Sequence, residues 1–375
     1  MNKPLLTLLA GVFLAGASFG AEPEFDRLLL KNYHPVSLYR IQQTLVRRAA
    51  VPVIDMHSHS FFVQNDAEIR RWVQLMDEAN IERTIVLTGE SGPAFDALVA
   101  RFAPFKNRFE LWCGFDYTGI EEPGYGPAAA AELERCMRMG ARGVGEESDK
   151  GLGLVRAIPG RPLPKPVHPA DPRLDPLWEK CAELGLPVNL HVADPIWMYH
   201  PLDEKNEGIP NAAIWKIGSE PERIDLNGMI GQLEETLRRH PRTTIIACHL
   251  ANLDYDLTRL DGLLARYPNL YADLAGRLAE TAAIPRTAAA FIEKHRDRLF
   301  YGTDMELTPE MYQMTFRILE TTDEHFYGVD QFCYVWNLSG FGLRRETLEK
   351  LYRTNALELM HRLQPANYPA PPAKP

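Results

Sequence analysis

Four histidines and one aspartate stand at the ends of apolar, β-branched runs: His57 and His59 in VIDMHSH, His191 in LPVNLHV, His249 in TTIIACH and Asp304 in RLFYGTD. Residues i and i+2 of a strand share a face, so His57 and His59 point to the same side. With His191 from a second strand and Asp304 from a third, they can converge on one divalent ion and leave a position open for water, as a catalytic zinc site requires. Such an ion brings the pKa of its bound water down to about 7. An HxH pair alone is weak evidence, because a single strand-end histidine is commonly a hydrogen-bonded structural group. The weight rests on five metal-competent groups at matching ends of four strands. We expect one divalent metal on His57, His59, His191 and Asp304, zinc ahead of manganese. His34, His168, His240, His295, His325 and His361 read as structural or solvated, and His200 sits in a loop long enough to reach the site.

Those residues need a scaffold that brings strand ends together. Eight candidate strands run along the chain at 51–57, 83–89, 109–115, 141–146, 186–192, 243–249, 269–275 and 298–304, separated by stretches with apolar residues at helical spacing. The alternation predicts an α/β fold, a (β/α)8 TIM barrel, because the first strand runs into DMHSHS and not into the glycine-rich turn of an open doubly wound sheet. Strand five then lies across the barrel from strand one. We expect a helical extension over 21–50, the barrel over 51–363 with a closing helix at its end, and a Pro-rich mobile tail over 364–375. The loops 147–171 and 193–224 exceed ordinary βα length, and each follows a strand at the end where barrel active sites are built.

Composition narrows the partners. The 375 residues carry 41 Lys+Arg against 50 Asp+Glu, a net charge of −9, and 45% are hydrophobic. A globular chain without a basic footprint is a poor nucleic-acid binder. Residues 1–20, MNKPLLTLLAGVFLAGASFG, read as a secretory signal peptide cleaved near Gly20 or Ala21, which predicts a periplasmic or secreted protein free of the membrane after cleavage. The five cysteines form no CxxC pair and mostly sit in apolar runs, as small buried hydrophobes do, although export permits one or two bridges. A small-molecule substrate and a homo-oligomer fit this picture.

The ordered set IDMHSH, GVGE, LPVNLHVAD, IIACHLAN, YGTDM and LEKLYRTNALEL, from about Val51 to Leu363, resembles the amidohydrolase superfamily. The resemblance is to its amidohydrolase-related group, which includes the aminocarboxymuconate-semialdehyde decarboxylase-like enzymes. It implies a metal-dependent barrel with His57, His59 and His191 as ligands, Asp304 as ligand and proton acceptor, and His249 as the polarising or proton-transferring histidine. It does not fix the reaction, since the group holds lactonases, other hydrolases, hydratases and decarboxylases. Many binuclear members place a carboxylated lysine on strand four, where this chain has Glu146 and Glu147 and no lysine before Lys150. Glu146 can contact substrate, transfer a proton, bridge a second metal or serve structure; a single metal is favoured.

Around the rim, Arg277 suits a substrate carboxylate or phosphate, or a loop salt bridge. Trp197 and Tyr199 are candidate pocket walls, and Asn252 a hydrogen-bonding group near His249. Cys248 neighbours His249 and should point the opposite way, towards the helices. The leading expectation is a hydrolase acting on a lactone, ester or amide: metal-bound water attacks, Asp304 accepts its proton and His249 stabilises the carbonyl oxygen. The alternatives are a nonoxidative decarboxylase on the same residues and a barrel that binds without catalysis.

Overall fold

A computed structural model describes residues 27–158 and 161–368; the expected signal peptide at 1–20 and the tail beyond 368 lie outside the described residues. Contacts divide the chain into two units, 1–34 and 35–375. In the first, the described part holds a 3-10 turn, Leu30–Asn32. The second contains all eight expected strands: β1 (Val53–His59), β2 (Ile81–Leu87), β3 (Phe109–Trp112), β4 (Val144–Asp149), then after a hairpin β5 (Val155–Ile158) and β6 (Arg161–Val167), β7 (Val188–Val192), β8 (Ile245–Ala247), β9 (Leu270–Asp273) and β10 (Leu299–Phe300). All but the hairpin pair in parallel, in the orders β1-β2-β3 and β10-β9-β8-β7-β4. A bridge from Cys113 to Val144 joins the two groups on one side. On the other, Met56 N donates to Tyr301 O at 3.0 Å and Asp304 N to His57 O at 2.9 Å, closing the barrel.

The helices form for ordinary reasons. Asp66–Ala79 starts at Asn65, whose side chain accepts from the backbone N–H groups of Ala67 and Glu68, and ends at Asn80 in the left-handed region (φ 69°). It buries Ile69, Trp72, Leu75 and Met76 on one face. Strand residues such as Val53, Val86, Leu111, Val188 and Ile245 pack outward on these helices. Ile54, Met56, Ile85, Leu87, Trp112, Ile246, Tyr271 and Phe300 form a separate inner cluster, closed by Leu359 and Met360 of the helix Asn355–Leu363. Gly302 is required where β10 leaves the sheet, since a Cβ there would stand 2.7 Å from that of His57.

Two expectations for the chain's ends are corrected. The stretch 35–50 is not helical. Its apolar residues Val36, Leu38, Tyr39 and Leu45 are exposed, so a helix there has no face to bury, which is where a short helix gets its stability. It runs as an irregular strap, tied by Thr44 to Asp323 and by Ala49 N to Ala79 O. The start of the tail is fixed: Gln364 donates to the carbonyls of Arg142 and Gly185, and buried Tyr368 donates to Glu110. The loop after β4 is filled by the β5–β6 hairpin, and the loop after β7 carries a 3-10 turn, Ile196–Tyr199, and a short helix, Ile209–Ile214. All five cysteines are free thiols. No helix among the described residues is long and apolar enough to cross a membrane.

Candidate active site

The site residues reach the barrel's inner side through three local departures from strand geometry. In β1, Val53 packs outward while Ile54 and Met56 point inward. Strict alternation would send His57 outward with Asp55. A register shift between Asp55 and Ser58 adds one residue against β2 and turns His57 and His59 inward. A similar shift lies between Val144 and Glu147 in β4. It sends Glu146 inward, while Glu147 faces away, accepting from Phe115 N at 2.7 Å and from the Tyr117 hydroxyl. At the end of β8 the chain leaves the strand altogether: His249, Leu250, Ala251 and Asn252 have φ of 54° to 58°. His249 is therefore placed by a left-handed turn, with its N–H held by Asp273 Oδ1 at 2.8 Å.

This turn overturns the expectation for Cys248. Ile246 points inward, so Cys248 does too, and the turn brings His249 round beside it. Burial, then the Glu146 carboxylate, pushes the Cys248 thiol well up, so it stays protonated and donates to Asn189 Oδ1.

Each of the four imidazoles has one nitrogen committed to a fixed acceptor. His57 Nδ1 meets Asp273 Oδ2 at 3.0 Å, His59 Nδ1 meets Leu87 O at 3.1 Å, His249 Nδ1 meets Ala275 O at 2.8 Å and His191 Nε2 meets Ala193 O at 2.8 Å. A carbonyl oxygen only accepts, so the last three must carry their proton on that nitrogen. Their other nitrogens face the carboxylates of Asp304 and Glu146. His59 Nε2 lies 2.9 Å from Asp304 Oδ1, His191 Nδ1 lies 2.8 Å from Glu146 Oε1, and His249 Nε2 is 3.3 Å from Glu146 Oε1 and 3.6 Å from Asp304 Oδ2. His57 Nε2, fully buried, has no hydrogen-bond partner and sits 3.7 Å from Asp304 and 3.8 Å from Glu146.

Neutral imidazole nitrogens and ionised carboxylates at these distances are all acceptors, so positive charge must sit among them, as protons or as a metal ion. Burial opposes charge on His57, yet Asp273 and Asp304 outweigh it and push the imidazole up to about 10. Burial likewise opposes ionisation of Asp304 and Glu146, and the histidines overcome it: Asp304 is held down chiefly by His57 and Glu146 by His191. His249 is pressed towards neutrality, mainly by burial. The donor set fits a divalent ion. Two groups of potential ligand atoms share His57: His57, His59 and Asp304 in one, and His57, Glu146, Cys248 and His249 in the other. His191 falls in neither group and meets the cluster through Glu146.

Sequence reasoning missed the carboxylates behind the histidines. Fully buried Asp273 holds the His57 ring and the His249 backbone, and also accepts from Ala275 N at 3.2 Å and Asn189 Nδ2 at 3.2 Å. Asp55 fastens β1 to the segment after β10 by accepting from Thr303 N at 3.0 Å and Thr303 Oγ1 at 2.7 Å, and burial pushes it up to about 6. An aspartate inside the apolar runs VIDM and YADLA was the available signal. The rim candidates are placed differently. Arg277 is part-buried and spends its guanidinium on Asn252 Oδ1 (2.9 and 2.7 Å), Gly276 O and Glu280 (3.3 Å). Asn252 in turn donates to the carbonyls of Val192 and Ala193, so the pair steadies the carbonyl that orients His191. Trp197 packs on Trp336 with centroids 5.5 Å apart, and the Tyr199 hydroxyl accepts from Asp194 N. Trp215 is 62% exposed.

Comparison with known proteins gives the following. The family model described as amidohydrolase matches residues 119–362. Among curated proteins none matches the chain. A TIM-barrel protein of Bordetella bronchiseptica superposes with a TM-score of 0.52 at 17% identity, over 84% of this chain and 99% of its own. A 2,6-dihydroxybenzoate decarboxylase bound to 2,6-dihydroxybenzoate gives 0.52 at 19%, over 83% and 99%. A dihydroxybenzoic acid decarboxylase from Polaromonas sp. JS666, with manganese and 2-nitroresorcinol, gives 0.51 at 18%, over 83% and 97%. At these identities the likeness is one of fold, and the fold is a TIM barrel.

Proposed function

The chain belongs to the amidohydrolase family, and from that premise we propose that it is a metal-dependent nonoxidative decarboxylase of a small hydroxylated aromatic or unsaturated carboxylic acid. The observation that carries metal dependence is the convergence of His59, Asp304 and Glu146 on the unpartnered Nε2 of His57. The choice of decarboxylation over hydrolysis is supported by the two decarboxylases of similar fold, one of them with manganese. Manganese and zinc both suit imidazole and carboxylate donors.

His57, His59 and Asp304 would hold the ion, with His191 and Glu146 completing the cluster. When bound, the ion supplies Lewis-acid polarisation of substrate oxygens and fixes the carboxylate in place. Asp273, Leu87 O, Ala193 O and Ala275 O keep the rings turned inward without reorganisation. In the reaction the carbon–carboxylate bond breaks, carbon dioxide leaves, and the carbon takes a proton. His249 Nε2 is the donor we assign: burial presses this imidazole towards neutrality, so a proton placed there is readily given up. That proton comes from solvent, and Asp304, 3.6 Å away and ionised, stabilises the protonated ring until it is delivered to the carbon. Hydrolysis of a lactone, ester or amide is the competing reading, with Asp304 as base. Export through residues 1–20 is a separate proposal, checked by the N-terminal sequence of the mature protein.

The test is to load the protein with manganese and supply carboxyl-13C hydroxybenzoates and a lactone series, following labelled carbon dioxide and acid release. We expect carbon dioxide from at least one hydroxybenzoate. Acid release from lactones without carbon dioxide from any acid assigns hydrolysis instead.

A further inference from the structure

Beside the metal-ligand cluster lies a cavity of about 690 Å³, a size typical of small-molecule sites, and none of the four clustered histidines lines it. It is linked to the cluster through Asn252 and Arg277. Its walls are aromatic: Trp197 from the loop after β7, Trp336, and Tyr255 after the left-handed turn. Trp336 is braced by stacking on Tyr334 at 3.9 Å and by donating from Nε1 to Ala279 O.

Two carboxylates, Asp254 and Glu280, also line it, at 1% and 6% exposure. Neither oxygen of Asp254 has a hydrogen-bond partner, nor has Glu280 Oε2. Buried polar groups are nearly always paired, so a carboxylate with both oxygens bare at a cavity wall needs a partner from the cavity. Arg277 gives Asp254 an ion pair but no hydrogen bond. Its donors go to Asn252, Gly276 O and Glu280 Oε1, and Asp254 Oδ1 is left 3.7 Å from Nε. The rim adds Asp203 and Glu207 against Lys205 and His200. The lining thus carries four carboxylates against one lysine, with one guanidinium behind, and that excess favours a cation.

We propose that this cavity is a binding site for an organic ammonium ion carrying an aromatic or flat apolar body. The ammonium docks on Asp254 and Glu280, where a charge-assisted hydrogen bond supplies the missing partner, and the body lies among Trp197, Trp336 and Tyr255. Burial pushes Asp254 up and Glu280 up to about 7, the cost that a bound cation offsets. The inference needs no particular reaction at the metal cluster.

The test is calorimetric titration of the full-length, metal-loaded protein with phenethylammonium and with the matched neutral phenethyl alcohol. We expect saturable ammonium binding and alcohol binding weaker by at least about tenfold, the scale of a charged hydrogen bond. Asp254→Asn, which keeps the side chain's shape, should weaken ammonium binding at least about tenfold with metal content retained. Trp336→Leu weakens both ligands, and the ammonium-to-alcohol comparison on the unaltered chain stands even if a variant fails to fold. Equal affinities for the two probes, or ammonium binding abolished by stripping the metal, overturns the proposal. Failure of the decarboxylation assay leaves it standing.

Discussion

Asp273→Asn is the substitution whose effect follows most directly from the geometry. Asp273 Oδ1 accepts from His249 N and Ala275 N, and an asparagine oxygen can keep both bonds. Its amide nitrogen must then replace Oδ2, which faces His57 Nδ1 at 3.0 Å and Asn189 Nδ2 at 3.2 Å, and there a donor meets donors. The only escape at His57 is to move its proton to Nε2, the nitrogen that faces Asp304 and Glu146, and a protonated nitrogen cannot bind a metal. The cost is one charge-assisted hydrogen bond, about 1.5–3 kcal/mol. That agrees with the roughly 10- to 100-fold loss in metal affinity seen when a carboxylate behind a ligating histidine is removed. We expect manganese and zinc affinities, measured by competition with a chelator of known affinity, to fall by about that factor, with circular dichroism unchanged. Activity should return in part at saturating metal. An affinity within about twofold of the parent would show that Asp273 does not set the state of His57, and the tautomer argument would fail with it.

Asp304→Asn should lower turnover by about two to four orders of magnitude while retaining part of the metal, measured as kcat alongside metal content, since it removes a basic carboxylate without removing a ligand-sized side chain; near-parental turnover takes Asp304 out of the proton path. Shortening the loop from about Pro195 to Trp215 removes Trp197 and should leave metal content intact while kcat/KM or substrate preference changes; a changed molecular mass with unchanged kinetics makes the loop a subunit contact instead. Burial raises Glu147 from 4.5 to about 7, so the folded chain binds the extra proton between those values, and stability falls as pH rises through that window by at most about 3 kcal/mol. Glu147→Gln should flatten the slope, giving a smaller difference between urea unfolding at pH 5 and at pH 8; an unaltered slope removes Glu147 as its source.

What the sequence discloses and what it hides divide along the strand pleat. Eight strands, their order and the chemistry at their ends follow from apolar periodicity; His57, His59, His249 and Asp304 lie together, while His191 meets them through Glu146. Period-two reasoning stops where the backbone leaves it. It cannot choose between Glu146 and Glu147, because the register shift in β4 decides which turns inward. It misplaces Cys248, because four consecutive left-handed residues lie beyond the last pleated residue of β8. The periodicity of 35–50 suggests a helix, but tertiary bonds to Asp323 and Ala79 leave it extended with its apolar side chains in solvent. Asp273 carries no spacing signal because its partners come from β1, β7 and the turn after β8, which are remote in sequence.

The proposed metal centre places one divalent ion among these groups at the mouth of the barrel. Anomalous diffraction from crystals of the manganese-loaded protein, collected on both sides of the metal edge, tests it most directly. One dominant peak is expected at coordination distance, about 2.0–2.3 Å, from ring nitrogens of His57 and His59 and from Asp304 oxygen. A peak elsewhere in a fully loaded protein, or none among these residues, would contradict it.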